Sequence, residues 1–274
     1  MHTKDLINDY FYFILEKKDT NAYTALDPEL FEHYFTYWAS EARGFPVYPV
    51  DQINKTREKI FEALPHIEQI FIDAGIFTDK IELVLFVGQG TSNGHAFLRK
   101  DRSIVWIPVE TYLTEMQIRV FITHELVHGI HYANQPDFFF SNLFQKQNIG
   151  RQVITEGVST FVTSSFLGCS LGSAMWADYL DQSKIKTWID ECESRIKELY
   201  AFVRENWNVN EGDATELFLA NNQKDIMQNR AGYFIGYSLV NEFVRAHSLD
   251  VRSLLNVSRS ELEAWCRVFV ENFH

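Results

Sequence analysis

Thr123-His124-Glu125-Leu126-Val127-His128-Gly129 reads H-E-x-x-H, and the way this stretch folds decides the rest. An α-helix turns once in 3.6 residues, so His124 and His128 stack on one face about a turn apart. Two imidazoles so placed grip one metal ion, at zinc–nitrogen distances of roughly 2.0–2.1 Å. Glu125, beside the first histidine, is angled to reach a metal-bound water rather than the metal. The plain alternative is a surface helix with an i,i+4 histidine pair. The flanks argue instead for a buried helix, because Ile118, Val120, Phe121, Ile122, Leu126, Val127 and Ile130 are apolar. Two histidines and a glutamate in such a helix need partners, since unpaired buried polar groups are costly. A zinc ion serves all three.

The helix has its own start signal. Thr114-Glu115-Met116-Gln117 is a capping box, with Leu113 and Ile118 as a hydrophobic staple. The metal helix is therefore expected from near Thr114 to about Tyr132, ended by Asn134-Gln135-Pro136-Asp137. Before it, residues 81–87 and 103–108 are apolar and β-branched, hence strands. The Gly-rich residues 88–94 between them invite a nucleotide-binding reading. That fails on context, because an extended segment follows where the phosphate-binding helix would begin. The glycines are read as a mobile turn and 95–98 as an edge strand, suited to pairing with an extended peptide. Further upstream, residues 3–18 show helical spacing. Asp27-Pro28 opens a helix to about Trp38. Asp51 caps another to about Gly75, which Pro65 is expected to kink or split.

Downstream, a Phe-rich connection (Phe138, Phe139, Phe140, Phe144) leads to the apolar helical segment 153–162. A two-histidine zinc site takes a third protein ligand and keeps one position open. After His128 the first acid is Asp137, in the connection, and the next is Glu156, alone in that apolar segment. A lone buried glutamate should be paired or ligated; the alternative is a glutamate on a partly exposed face. Gly157 lets two helices approach closely, and Thr160, one turn on, can hydrogen-bond around a ligand. Residues 174–206 read as one long amphipathic helix and 215–220 as a short one. In 230–237, Tyr233 and Tyr237 share a face at i,i+4, as do Gly232 and Gly236. The glycines permit close packing, with the metal helix as the expected neighbour. A tyrosine hydroxyl there donates to a developing oxyanion, or else both tyrosines are core. Ser258-Arg259-Ser260-Glu261 caps a terminal helix ending near Phe273. The class is α+β, predominantly helical. Without internal repeats or low-complexity linkers, one domain over 1–274 is expected, with 1–80 as an N-terminal helical part.

Of 274 residues 46% are hydrophobic, including 23 Phe, so a substantial core follows. The net charge of −12 argues against nucleic acid or an anionic membrane surface as partner. Cys169, Cys192 and Cys266 are scattered and odd in number, which implies no disulfide framework and favours a reducing compartment. Residues 1–5 lack the features of a secretory signal, and no apolar run is long enough to span a bilayer. The expected location is cytoplasmic, with signal-independent secretion as the other compatible route.

The H-E-L-V-H helix, the later Glu156-Gly157 and the Gly-Tyr-x-x-Gly-Tyr helix occur in the order seen in a family of predicted zinc-dependent proteases, bacterial and gluzincin-like. The chain resembles that family from about Ile81 to the C-terminus. The resemblance implies a zincin-like fold, with a small sheet, the H-E-x-x-H helix beneath it and a mostly helical lower half; 81–274 would be the catalytic part. It implies one Zn2+ held by His124, His128 and Glu156, with Glu125 as catalytic base and a peptide or protein as substrate. Between His128 and Glu156 lie 27 residues, a longer gap than in thermolysin. The metzincin pattern is absent, because Asn134 stands at its third histidine and His131 at its glycine. His131 keeps to the metal face at i+7, as an alternative ligand or an active-site donor. Two other readings use the same residues: a catalytically inactive binding protein on a zincin scaffold, and a metallohydrolase of a non-peptide amide or ester.

Overall fold

The computed structural model of the chain describes residues 1–100 and 102–273. Its first element is a strand, β1 (His2–Asp5). A turn of helix, α1 (Ile7–Asp9), then widens into a π-helical stretch, Tyr10–Glu16. Helical spacing over 3–18 thus accounts for the second part only. The first residues become a strand because β2 (Ile81–Phe86) pairs with them in parallel, His2 opposite Glu82 and Asp5 opposite Leu85. No local pattern can announce a partner some 80 residues away.

Next come α2 (Thr20–Thr24), α3 (Pro28–Tyr37) and α4 (Val50–Asp73). Asp27 caps α3, its Oδ1 accepting from Leu30 N at 3.2 Å, with Pro28 opening the helix as expected. Pro65 does not split α4, which runs unbroken through it. The proline lies on the exposed side, where the carbonyl that its missing N–H leaves free is not forced into an apolar core. Strands β3 (His95–Arg99) and β4 (Arg102–Pro108) complete a sheet of order β1-β2-β4-β3. β1, β2 and β4 are parallel, and β3 is antiparallel to β4 at the edge, where the sequence placed it.

Both sheet faces are covered, so β2 and β4 are almost uninterruptedly apolar rather than alternating. On one face Phe86, Trp106 and Phe97 meet Tyr34 and His33 of α3. On the other, Ile81, Ser103 and Val105 meet α5 (Glu115–Asn134) at Gly129. Helix α5 starts where the capping box placed it. Gln117 N donates to Thr114 Oγ1 at 3.2 Å, and the Gln117 side chain accepts from Leu113 N at 2.9 Å.

The chain folds as two compact units, Met1–Gly129 and Ile130–His274. The second is helical: α6 (Leu143–Lys146), α7 (Ile149–Leu167), α8 (Leu171–Trp176), α9 (Gln182–Ser194), α10 (Ile196–Asn206), α11 (Ala231–His247), α12 (Val251–Leu254) and α13 (Arg259–Asn272). The single helix expected over 174–206 is three. Ala177 takes a left-handed conformation (φ 48°) after α8, and Asp181 then caps α9 through Lys184 N at 2.9 Å. α9 and α10 join at Arg195, a break that no glycine or proline marks. The helix expected over 215–220 is a 3-10 segment, Asp213–Phe218. Ser258 caps α13 by accepting from Glu261 N at 3.2 Å. Among the described residues no helix is long and apolar enough to cross a membrane.

Asp27 is the first unit's main buried ion-pair partner. It is 3% exposed, accepts from Lys4 Nζ at 2.9 Å, and pairs with Arg99. Burial pushes its carboxyl up, but Lys4 and Arg99 more than reverse this and hold it below the ordinary value. Asp27→Ala is expected to cost about 3 kcal/mol through loss of the cap and the charged hydrogen bonds, read as a lower urea midpoint. Because the folded-state value is lowered, that contribution is complete above the ordinary carboxylate value of about 4 and fades as pH falls through the lowered one. Wild type and variant therefore converge in acid.

Candidate metal centre

The histidine pair lies in the middle of α5, where Ile118, Ile122, Leu126 and Val127 are fully buried. His124, Glu125 and His128 are themselves buried. The two Nε2 atoms are 3.0 Å apart, with the rings nearly perpendicular at 78°. Two ligands of one tetrahedral zinc at about 2.05 Å stand about 3.3 Å apart, so the pair lies close to the separation that one ion sets. Gly129 sets how deep this turn sits. A β-carbon there would lie 2.5 Å from Val105 Cγ2 and 3.3 Å from Ser103 Oγ. Any side chain would lift the helix from the sheet.

Among the described residues, one group has three donors close enough for an ion: one atom each from His124, His128 and Glu156, all within 4.8 Å of one another. The set, two imidazoles and a carboxylate, suits zinc and leaves a fourth position open. Glu156 is half-buried on α7. Burial of the Lys146 ammonium lowers its pKa, and the Glu156 carboxylate pulls the other way.

Helix α7 is placed by glycine. A β-carbon on Gly157 would lie 2.4 Å from the Gly236 carbonyl, and one on Gly236 would lie 2.2 Å from Val153 O. The close neighbour of Gly236 on α11 is thus α7, the Glu156 helix. Gly232 is closed instead by the Phe218 ring, 2.5 Å from its β-position. Thr160 does not turn to Glu156. Its hydroxyl donates to Met175 Sδ at 3.7 Å. Tyr233 and Tyr237 are half-buried on α11. Arg230 lies over the Tyr233 ring at 4.6 Å, and Tyr237 meets Phe161 of α7 at 5.8 Å. His131 is fully buried, its ring 3.8 Å from that of Phe138. Phe138 is held by Arg151, whose Nη1 donates to the carbonyls of Asp137, Phe138 and Phe139, each at 3.0 Å.

Two residues that the sequence did not single out stand beside Glu125 and its loop. Gly94, at φ +147°, has its α-carbon against the Glu125 side chain; a β-carbon would come within 2.8 Å of Glu125 Cγ. Glu110, in the 3-10 turn Val109–Thr111 after β4, is 7% exposed and accepts from Gly88 N and Gly90 N at 3.0 and 2.9 Å. Burial raises its pKa against the pull of those N–H groups. The only hint in the sequence is an acid set directly behind an apolar strand.

A sequence-family model described as Predicted Zn-dependent protease (DUF2268) matches residues 51–264. Comparison with curated proteins and with solved structures finds no match.

The glycine crossing yields a test. Gly236→Ala is expected to destabilise by about 2–3 kcal/mol, because its methyl meets backbone that cannot rotate away. The measurement is the urea midpoint; an unchanged midpoint would mean that the two helices have slack.

Proposed function

The chain belongs to this family of predicted zinc-dependent proteases, and on that premise we propose that it is a zinc metallopeptidase of gluzincin type. The observation that carries the reading is the three-donor group of His124, His128 and Glu156. We assign these as the zinc ligands, and read α5 packed on a mixed sheet as the zincin-like element. Residues 81–274 carry the chemistry.

When bound, zinc supplies a Lewis acid and lowers the pKa of a water molecule to about 7. Glu125 is the general base. It takes a proton from the water that attacks the scissile carbonyl and returns it to the leaving amine as the C–N bond breaks. Its place beside His124, with Gly94 against its Cγ, supports that role by restricting the side chain. Tyr233 and Tyr237 are the oxyanion donors, one turn apart on the helix packed against the Glu156 helix. His131 is less suited to meet substrate, since it is wholly buried against Phe138. The substrate is a peptide or protein, and β3 at the sheet edge offers it backbone pairing.

Purified protein is expected to carry about one zinc per chain. Glu125→Gln keeps that zinc and loses hydrolysis of a quenched-fluorescence peptide library by roughly 100-fold or more, whereas His124→Ala loses the zinc. Full hydrolysis by the Glu125→Gln protein would sink the assignment.

A further inference from the structure

We infer that residues 88–94 are a positioning element for Glu125, and that Glu110 is the side chain that sets it. This rests on the reading of Glu125 as general base. A loop with Gly88, Gly90 and Gly94 should be loose, since glycine has the most conformational freedom to lose. Here side chains from other elements hold it nearly residue by residue. Glu110 Oε2 accepts from Gly88 N at 3.0 Å, and its Oε1 accepts from Gly90 N at 2.9 Å. Between them, Gln89 N donates to Tyr34 Oη at 2.7 Å, and Tyr34 Oη also meets Thr91 Oγ1 at 3.2 Å. The Gln89 amide donates to the carbonyls of Ser40 and Gly44 at 2.8 Å each. The Tyr112 hydroxyl donates to Asn93 O. The held loop ends at Gly94, where a β-carbon would collide with Glu125 Cγ, Ile107 Cδ1 and Trp106 O. The Glu125 side chain, projecting from α5, thus faces Gly94, whose position the latch defines.

The chemistry of the latch is specific. Two backbone N–H groups of one loop face one side chain, and only a carboxyl group offers two acceptor oxygens in that space. Glutamine would turn an NH2 donor onto one of the two donors. Among the described residues no lysine, arginine or histidine pairs with Glu110. Its titratable neighbours are the hydroxyls of Tyr10, Tyr23, Tyr34 and Tyr48. A buried carboxyl without a cation is an expensive way to stabilise a turn, and an apolar residue would serve if packing were the only need. Proton transfer is different, because it demands that the base be held to a fraction of an ångström.

The test uses the full-length, zinc-loaded protein with Glu110→Gln and Gly94→Ala, and three readouts: amide hydrogen exchange at residues 88 and 90, the 13C signal of the Glu125 carboxyl (assigned by its loss in Glu125→Gln), and peptide hydrolysis. Glu110→Gln is expected to speed exchange at both amides roughly tenfold and to shift the Glu125 signal. It should lower kcat about 10–100-fold at unchanged zinc content, with KM within about twofold. Gly94→Ala should shift the Glu125 signal and lower kcat with both amides still protected. A merely structural latch would lower the urea midpoint of Glu110→Gln and leave the Glu125 signal and kcat as in wild type, and that result overturns the inference. An unmoved Glu125 signal in Gly94→Ala overturns it too, even where Glu110→Gln does not fold. Undiminished hydrolysis by Glu125→Gln instead marks failure of the general-base reading, whatever the exchange data show.

Discussion

Helix α5 rests on the sheet at a separation that only a hydrogen atom at position 129 permits. With Val105 Cγ2 at 2.5 Å from where a β-carbon would stand, the contact is van der Waals packing at its limit, and cores do not yield readily to such pressure. Everything on that turn inherits the constraint. His128 immediately precedes the glycine, His124 stands one turn back, and their Nε2 atoms come to 3.0 Å. The sheet beneath is apolar on both faces because α3 covers the other side, so α5 has a rigid floor.

The second unit uses the same device. Gly157 and Gly236 let α7 and α11 touch through backbone, which fixes Glu156 by the position of its neighbour in the chain. Helices α5 and α7 thus each carry a glycine directly after a proposed ligand, Gly129 after His128 and Gly157 after Glu156. Close approach at the following residue holds the Cα of His128 and of Glu156.

Buried acids are treated in two ways. Asp27 is neutralised by Lys4 and Arg99 and lies below the ordinary carboxylate value. Glu110 accepts from the backbone N–H groups of Gly88 and Gly90, and burial holds it above that value. The first arrangement ties elements together by charge. The second uses both oxygens of a carboxyl group to align two donors of a loop, which a cation at the same place would pull apart.

Local signals were legible in the sequence because their physics is local. The capping boxes at Thr114 and Ser258, the Asp27-Pro28 start and the apolar strands all follow from a few neighbouring residues, and so does the i,i+4 histidine pair. The glycines of α7 and α11 announced close packing by their size, though size names no partner, and Gly236 meets the Glu156 helix. What escaped was settled at a distance. His2–Asp5 is a strand because β2 lies beside it, Thr160 turns to Met175 because α8 folds back there, and Glu110 gains its meaning only when 88–94 returns across it. Residue type and spacing determine which groups are available and which helix face they share. Which backbone presses on them depends on chain segments remote in sequence, whose meeting only the folded packing decides.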